Sequence, residues 1–314
     1  MNFKNIKTYF LIFAITCSKS LFAQPDDLLS IVEKKGDHPK EYVNNAFKSS
    51  RVIMGHSIEF IGKGVLDVRI LHRFGLISQY QSARNLFGLD QASMRLGFDY
   101  GLTKGLTIGI GRSTFNKEFD GFIKYRLVQQ SRGAKGTSPV SVVLVTGATY
   151  NDMPWEFPSR TNFLTSRMAF YNELIIGRKF SEGFSAQITP THVHINLVND
   201  STFKNDVFAL GVGARLKLSK RIAFVVDYQY LLKQIGEDAT NIQFKDNTNA
   251  LSMGFDIETG GHVFQLHFSN SKGMNEREFI TNTTGTWGKG EVSFGFNLSR
   301  VFTVGKKKPS NPKI

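Results

Sequence analysis

Two histidines, His192 and His194, are the residues best placed for chemistry in this 314-residue sequence. Residues two apart lie on the same face of a β-strand, and Asn196 continues that row. Pro190, earlier in the same strand, is expected to shift the alternation so that this row faces the lumen. Two imidazoles in this arrangement can bind one metal ion if a carboxylate from a neighbouring strand completes the set. The spacing identifies no third ligand, so a polar row in a hydrogen-bonded wall is the simpler interpretation. We therefore expect no metal centre, no cofactor and no catalytic residues.

Other chemistries lack their residues. The sequence contains no Gly-x-Ser-x-Gly motif, which a serine hydrolase of the common type would carry. Its single cysteine, Cys17, lies in the N-terminal stretch, so the remainder has no thiol for a disulfide, a metal or a nucleophile. The formal charge of +13 comes from scattered basic residues rather than a compact patch, so we do not expect nucleic-acid binding.

The charged residues that remain follow an alternating pattern. In a strand that spans a membrane, an Arg or Lys that faces lipid at mid-membrane costs about 2 to 4 kcal/mol. The charged side of an alternating strand is therefore expected to line the lumen of a barrel. An open channel would use them to select solutes, and a narrow barrel would pair them across its interior. Seven basic and six acidic residues nearly balance, which favours a narrow or filled lumen: Asp67, Arg69, Arg73, Arg95, Asp99, Lys124, Arg126, Glu173, Arg215, Lys217, Asp227, Asp256 and Glu258.

The elements that must position these residues are β-strands. Between Ala92 and Tyr100, apolar residues alternate with Ser93, Arg95, Gly97 and Asp99, as in a strand with lipid on one side and water on the other. The pattern predicts thirteen candidate strands: 52–60, 64–74, 91–101, 105–113, 118–130, 139–150, 168–180, 183–197, 206–218, 221–231, 249–259, 262–270 and 290–303.

The lengths of the connections decide the strand number. Very short turns after residues 180, 218 and 259 alternate with long loops, as in barrels with short periplasmic turns and long external loops. Keeping that alternation leaves the candidate at 52–60 as one strand too many. We predict an all-β, antiparallel transmembrane barrel of twelve strands, with fourteen as the alternative.

The two ends of the chain differ from the barrel. Lys4 and Lys7, an apolar stretch too short to span a bilayer, and a small-residue site before Gln24 predict a secretory signal at residues 1–23. Residues 24–63 are expected to be a periplasmic lead-in or a plug, residues 64–304 the barrel, and residues 305–314 a basic tail.

Three stretches carry a resemblance to a known family. Residues 64–75 (GVLDVRILHRFG), 88–92 (GLDQA), and 262–271 (HVFQLHFSNS) with 273–275 (GMN) resemble an uncharacterised family of Gram-negative outer-membrane β-barrels, domain of unknown function 5777. The resemblance spans nearly the whole chain after the predicted signal. It implies a fold and an outer-membrane location, and it implies no activity.

These observations predict a non-enzymatic outer-membrane barrel whose polar, charged lumen is narrow or filled. A small-solute channel of porin type is the alternative, and an enzyme or metal-binding barrel using His192 and His194 is the second alternative. The expected partners are outer-membrane lipid, the barrel-assembly machinery during biogenesis and, for a channel, a small solute.

Overall fold

A computed structural model describes residues 39–80, 83–133, 136–200, 203–232, 243–259 and 262–304. The predicted signal, most of the predicted lead-in before residue 39, and the basic tail lie outside these residues. Residues 41–132 and 136–314 belong to one compact unit, and its described part is presented below. No helix among the described residues is long and apolar enough to cross a membrane.

Twelve antiparallel strands form a closed barrel, as the sequence predicts. Each strand pairs with its neighbour along the chain, and the last strand pairs with the first to close the sheet. The strands are β2 (Val65–Leu76), β3 (Ala92–Thr103), β4 (Leu106–Ser113), β5 (Glu118–Val128), β7 (Ser141–Asn151), β8 (Met168–Lys179), β9 (Phe184–Ile195), β10 (Asp206–Lys217), β11 (Ile222–Leu231), β12 (Ala250–Thr259), β13 (His262–Ser269) and β14 (Ser293–Thr303).

Smaller elements complete the described chain. A two-stranded sheet pairs β1 (Glu41–Tyr42) with β6 (Ser131–Arg132). One α-helix, α1 (Glu276–Thr281), lies in the loop between β13 and β14. Short 3-10 helices occupy the ranges Ile77–Tyr80, Ala83–Gly88, Phe115–Lys117, Thr165–Arg167 and Trp287–Lys289.

The two ends of the barrel differ in the length of their connections. Turns of two to four residues join β3 to β4, β8 to β9, and β10 to β11, and β2 begins at the same end. We call this the short-turn end. The opposite, long-loop end contains the connections from β7 to β8, β9 to β10, β11 to β12 and β13 to β14.

The alternation of side chains gives the wall two different faces. Along β8 and β10 every second residue is buried inside the barrel, and the residues between them point outward. Ile110, Ile123 and Phe208 are each at least half exposed on that outer face. A continuous apolar outer surface is stable against the hydrocarbon of a bilayer and unfavourable in water.

Residues 52–60 do not form a barrel strand, and the alternative of fourteen strands is wrong. Residues 46–61, which we call the inner segment, lie inside the barrel between β1 and β2, and most of them are buried. A tight turn at the tip of the inner segment is closed by a hydrogen bond from Val52 N to Gly55 O, 2.9 Å long. The alternating sequence of this segment therefore reflects packing against the lumen wall rather than pairing in the sheet.

Candidate site in the barrel interior

The inner face of the wall is charged at the positions that alternation predicts. Arg126, Lys217 and Glu258 lie close to the short-turn end, where Arg126 and Glu258 are half-buried and Lys217 is exposed. The other ten predicted residues are buried inside the barrel: Asp67, Arg69, Arg73, Arg95, Asp99, Lys124, Glu173, Arg215, Asp227 and Asp256.

Several of these charges pair with each other. Arg95 binds Asp120 through two nitrogens, with Nε 2.7 Å from Oδ1, and both side chains are fully buried. Arg69 donates to Asp67 at 2.6 Å and lies 3.8 Å from Asp99. A buried charge without a partner is strongly destabilising, so such pairing is what permits a charged interior.

Sequence reasoning missed two buried acids of β5, Glu118 and Asp120. Both share the parity of Lys124, which it placed in the lumen, so the alternation extended by six residues would have found them. Glu118 accepts from Asn275 at 2.8 Å and pairs with Arg277.

One carboxylate anchors the tip of the inner segment to the wall. Oδ2 of Asp227, on β11, accepts hydrogen bonds from the backbone N–H groups of Ile53, Met54 and Gly55, at 3.2, 2.7 and 2.9 Å. Hydrogen bonds to an ionised acceptor are stronger than neutral ones. The charge of Asp227 therefore fixes the tip of the inner segment.

Side chains from other strands hold the same segment from several sides. Lys124 donates to the carbonyl oxygens of Ser50, at 3.1 Å, and Glu59, at 2.6 Å. Amide side chains of three further strands bond its backbone between residues 52 and 58: Gln187 of β9, Gln265 of β13 and Asn297 of β14. These contacts lie around the whole circumference, so the segment occupies the middle of the lumen.

Wall glycines make room for the inner segment. A Cβ atom added at Gly213 would lie 2.9 Å from a methyl carbon of Val52, and one added at Gly177 would lie 2.7 Å from a methyl carbon of Ile58. At Gly101 the added atom would lie 2.8 Å from the carbonyl oxygen of Ile61. Real Cβ contacts are longer than this, so these glycines serve close approach of the segment.

A second filler enters from the long-loop end. Residues 271–283, which we call the inner loop, include α1 and are largely buried. Asn275 caps α1 by accepting from Glu278 N at 2.9 Å, and its amide also donates to Glu118 on β5. Thr283 donates to Phe279 O at 2.8 Å, which closes the loop behind the helix.

The two fillers meet in the interior. Arg51 of the inner segment donates from Nη1 to Glu276 Oε1 of the inner loop at 2.8 Å, and both side chains are fully buried. His56 lies beside them, with Nε2 3.5 Å from the same oxygen. Burial lowers the pKa of His56 well below its usual range, and the Arg51 charge lowers it further.

His192 and His194 do not face the lumen. Every second residue of β9, such as Gln187, Thr191 and Val193, is buried inside the barrel. The two histidines alternate with these residues, so they lie on the outer face. Both contact the same oxygen of one exposed carboxylate, Asp206 Oδ1, at 2.7 and 2.8 Å. The expectation that Pro190 shifts the phase and turns this row inward is wrong, because β9 pairs in continuous register with β10 across that position.

The closed twelve-strand wall, its apolar outer face and its charged interior define a membrane β-barrel with an occupied lumen. A family described as a membrane-bound β-barrel domain, domain of unknown function 5777, matches residues 47–302. The chain belongs to this family. The match begins at residue 47, so it includes the inner segment as well as the wall.

Solved structures of outer-membrane proteins are similar to this chain at low identity. The NanC porin shares 8% identity, with a TM-score of 0.46 over 75% of this chain and 98% of that one. An outer membrane channel from Pseudomonas putida F1 shares 11%, with a TM-score of 0.42 over 78% and 98%. Omp33 from Acinetobacter baumannii shares 6%, with a TM-score of 0.39 over 76% and 97%. No curated protein matches the chain.

Proposed function

We propose that this protein is a closed outer-membrane barrel of a Gram-negative bacterium that conducts neither ions nor solutes in its resting state and has no catalytic role. The carrying observation is the buried contact between Arg51 and Glu276, at 2.8 Å, which joins a filler from each end of the barrel. Outer-membrane lipid would cover the apolar outer face. The aromatic end of β14, at Phe302, is the part that the barrel-assembly machinery would recognise.

A twelve-stranded wall by itself would leave space inside. Eight strands enclose a lumen that side chains can fill, whereas sixteen or more leave an aqueous channel. A barrel of twelve strands has an intermediate size, and in this protein two chain segments fill its lumen. Their polar groups bond to the wall on many strands, so ions would have to displace a bonded network to pass.

Conductance in a planar bilayer tests this proposal. We expect wild-type protein, shown to be folded by its heat-modifiable migration in gels, to give no steady current steps at either polarity. Reproducible steps from the same sample would overturn the closed-barrel proposal and support the alternative of a small-solute channel.

A gated channel is the second candidate, and the chemistry of the anchors favours it. The inner segment is held by polar bonds to Asp227, Gln187 and Lys124, which water can replace when the segment moves. For such a channel we expect wild-type protein to be silent and the Asp227→Asn variant to show openings. Silence from a folded Asp227→Asn sample would count against gating.

The absence of a catalytic role is a proposal with its own test. Among the described residues, His192 and His194 bond only to Asp206, and no serine hydroxyl lies within hydrogen-bond distance of either ring. We expect folded protein in lipid to hydrolyse neither ester nor phospholipid substrates. Activity that disappears in a His192→Asn variant would refute this.

A further inference from the structure

Three side chains of the kinds that bind metals converge where the inner segment, the wall and the inner loop meet. His56 comes from the inner segment, Glu173 from β8 and Glu276 from α1. One ligand atom from each lies within 4.8 Å of the other two, and all three residues are buried. They come from three separate parts of the chain, so the fold itself assembles the cluster.

The polar atoms of this cluster lack protein partners. Both ring nitrogens of His56, Oε2 of Glu173 and Oε2 of Glu276 are buried without a hydrogen bond. Buried polar groups in folded proteins are nearly always bonded, and several exceptions at one point call for an explanation. The wall carboxylates Asp227 and Asp120 have both oxygens bonded, whereas Asp99 has one oxygen, Oδ1, without a partner.

The charges in the interior also favour a cation. Arg51 neutralises Glu276 through Oε1, but no basic side chain of the described residues lies within ion-pair distance of Glu173. Over the described interior, nine buried carboxylates face seven buried basic residues, and the half-buried Arg277 pairs with one of the nine, Glu118. A divalent ion at the cluster would compensate Glu173 and leave Arg51 with its own partner oxygen.

A shared proton is the competing explanation. One proton between Glu173 and Glu276 would remove the repulsion of the two carboxylates. It would leave both nitrogens of His56 without a partner, whereas a metal ion would bind one of these nitrogens together with both carboxylates. For this reason the metal is the better explanation.

We propose that His56, Glu173 and Glu276 bind one divalent transition-metal ion, of which Zn²⁺ is the type, inside the barrel. An imidazole and two carboxylates are ligands that Zn²⁺ accepts, with a fourth position left for water. Two ligands bound about 2.1 Å from the same tetrahedral ion lie about 3.4 Å apart. The three ligand atoms lie within 4.8 Å of one another, so movements of roughly an ångström bring them to that spacing while Oε1 of Glu276 stays with Arg51.

The ion would pin the two fillers to the wall and to each other. His56 links the tip of the inner segment, and Glu276 links the inner loop, to a fixed point on β8. This inference goes beyond the proposed function, because a metal can be bound whether or not the barrel conducts. Conductance and metal content are therefore measured separately, and one proposal can fail while the other stands.

Metal content after refolding tests the site. Because the cluster is buried, the chain is refolded in detergent with Zn²⁺ present, washed with a chelator, and analysed for zinc per folded barrel. The double variant His192→Asn/His194→Asn serves as the background, so that the outer-face histidines cannot contribute. We expect about one Zn²⁺ per barrel, as one mononuclear site requires.

Glu173→Gln is the decisive substitution, because it keeps the shape of the side chain. We expect it to lower the affinity for zinc at least about tenfold. Glu278→Gln is the matched control: Glu278 is another buried glutamate of α1, it accepts from Met274 N at 3.2 Å, and it lies outside the cluster. Zinc content of this control should equal that of the background protein.

Folding in the absence of metal separates ligand loss from misfolding. Removing an unpartnered buried charge does not destabilise a protein, so metal-free Glu173→Gln should fold at least as well as metal-free background protein. Co²⁺ refolded into the background protein should give the visible absorption of a low-symmetry site, and the variant should not. Equal zinc in background and Glu173→Gln protein, or folded background protein that holds none, would overturn the proposal.

Discussion

The anchor between Asp227 and the tip of the inner segment should respond strongly to the loss of one charge. Three backbone N–H groups donate to a single oxygen, at 3.2, 2.7 and 2.9 Å. A hydrogen bond to an ionised acceptor contributes about 1 kcal/mol more than one to a neutral acceptor. Asp227→Asn keeps the shape but removes the charge, so three bonds together should lose about 3 kcal/mol.

This loss predicts a large change in how often the tip leaves the wall. At about 1.4 kcal/mol per factor of ten, the fraction of barrels with a displaced tip should rise roughly 150-fold. The magnitude follows from the three bonds alone and assumes that the remainder of the segment stays in place.

Thiol labelling measures this fraction. Cys17 is the sole cysteine of the sequence, so a chain beginning at residue 24 with Val52→Cys has one thiol, at a position that is 2% exposed. When the segment closes faster than a polar maleimide reacts, the labelling rate is proportional to the open fraction. We expect labelling about two orders of magnitude faster with Asp227→Asn.

The control is Asp206→Asn, which removes a carboxylate of the same type from the outer face. It should leave the labelling rate unchanged. If Asp227→Asn labels no faster than this control, the three bonds do not hold the tip, and the reasoning from charge to anchoring is refuted.

Three further predictions concern the wall and the base of the inner segment. Arg95→Met leaves Asp120 buried without its cation and should lower the free energy of unfolding by about 3 to 5 kcal/mol, measured by thermal unfolding in detergent; a change under 1 kcal/mol would contradict this. Burial raises the pKa of Glu59. The stability that Glu59 contributes is therefore present below its unfolded-state pKa and is lost as the pH rises through its folded-state pKa. The melting temperature of the wild-type protein should fall from pH 4 upward, and Glu59→Gln should make this fall smaller. Gly177→Val, whose first added atom would lie 2.7 Å from a methyl carbon of Ile58, should displace the inner segment and raise maleimide labelling, whereas Gly121→Ala, whose added atom meets nothing nearer than 3.6 Å, should not.

The wall of the barrel could be predicted from the sequence because two solvents impose its pattern. Lipid outside and a polar interior require apolar and polar residues to alternate along each strand, as from Ala92 to Tyr100. This pattern is local in the sequence, so it can be recognised without knowing which strands pair. The lengths of the turns correctly exclude the alternating run at 52–60 from the strands of the barrel. The error over His192 and His194 came from assuming that Pro190 interrupts the register, which it does not.

The interior could not be predicted in the same way, because its contacts join distant parts of the chain. Ile58 bonds Gln187, 129 residues away, and Asn297 bonds the carbonyl of Ile53 across 244 residues. Alternation shows which face a side chain takes and not which partner it meets. The glycines at 177 and 213 were a usable signal, because a strand residue without a Cβ atom lets another chain segment approach closely.

The positions of the two fillers along the chain have a consequence for folding kinetics. The inner segment lies just before β2, the inner loop lies in the connection from β13 to β14, and β2 and β14 form the seam that closes the barrel. Each of the two seam strands is thus preceded in the chain by one of the two fillers. Arg51 and Glu276, which join the fillers, are 225 residues apart in the sequence. We expect closure of the seam and packing of the interior to occur together as a late event of high contact order, and folding to be slow. We therefore expect no folding intermediate in which the barrel is closed and its lumen is empty.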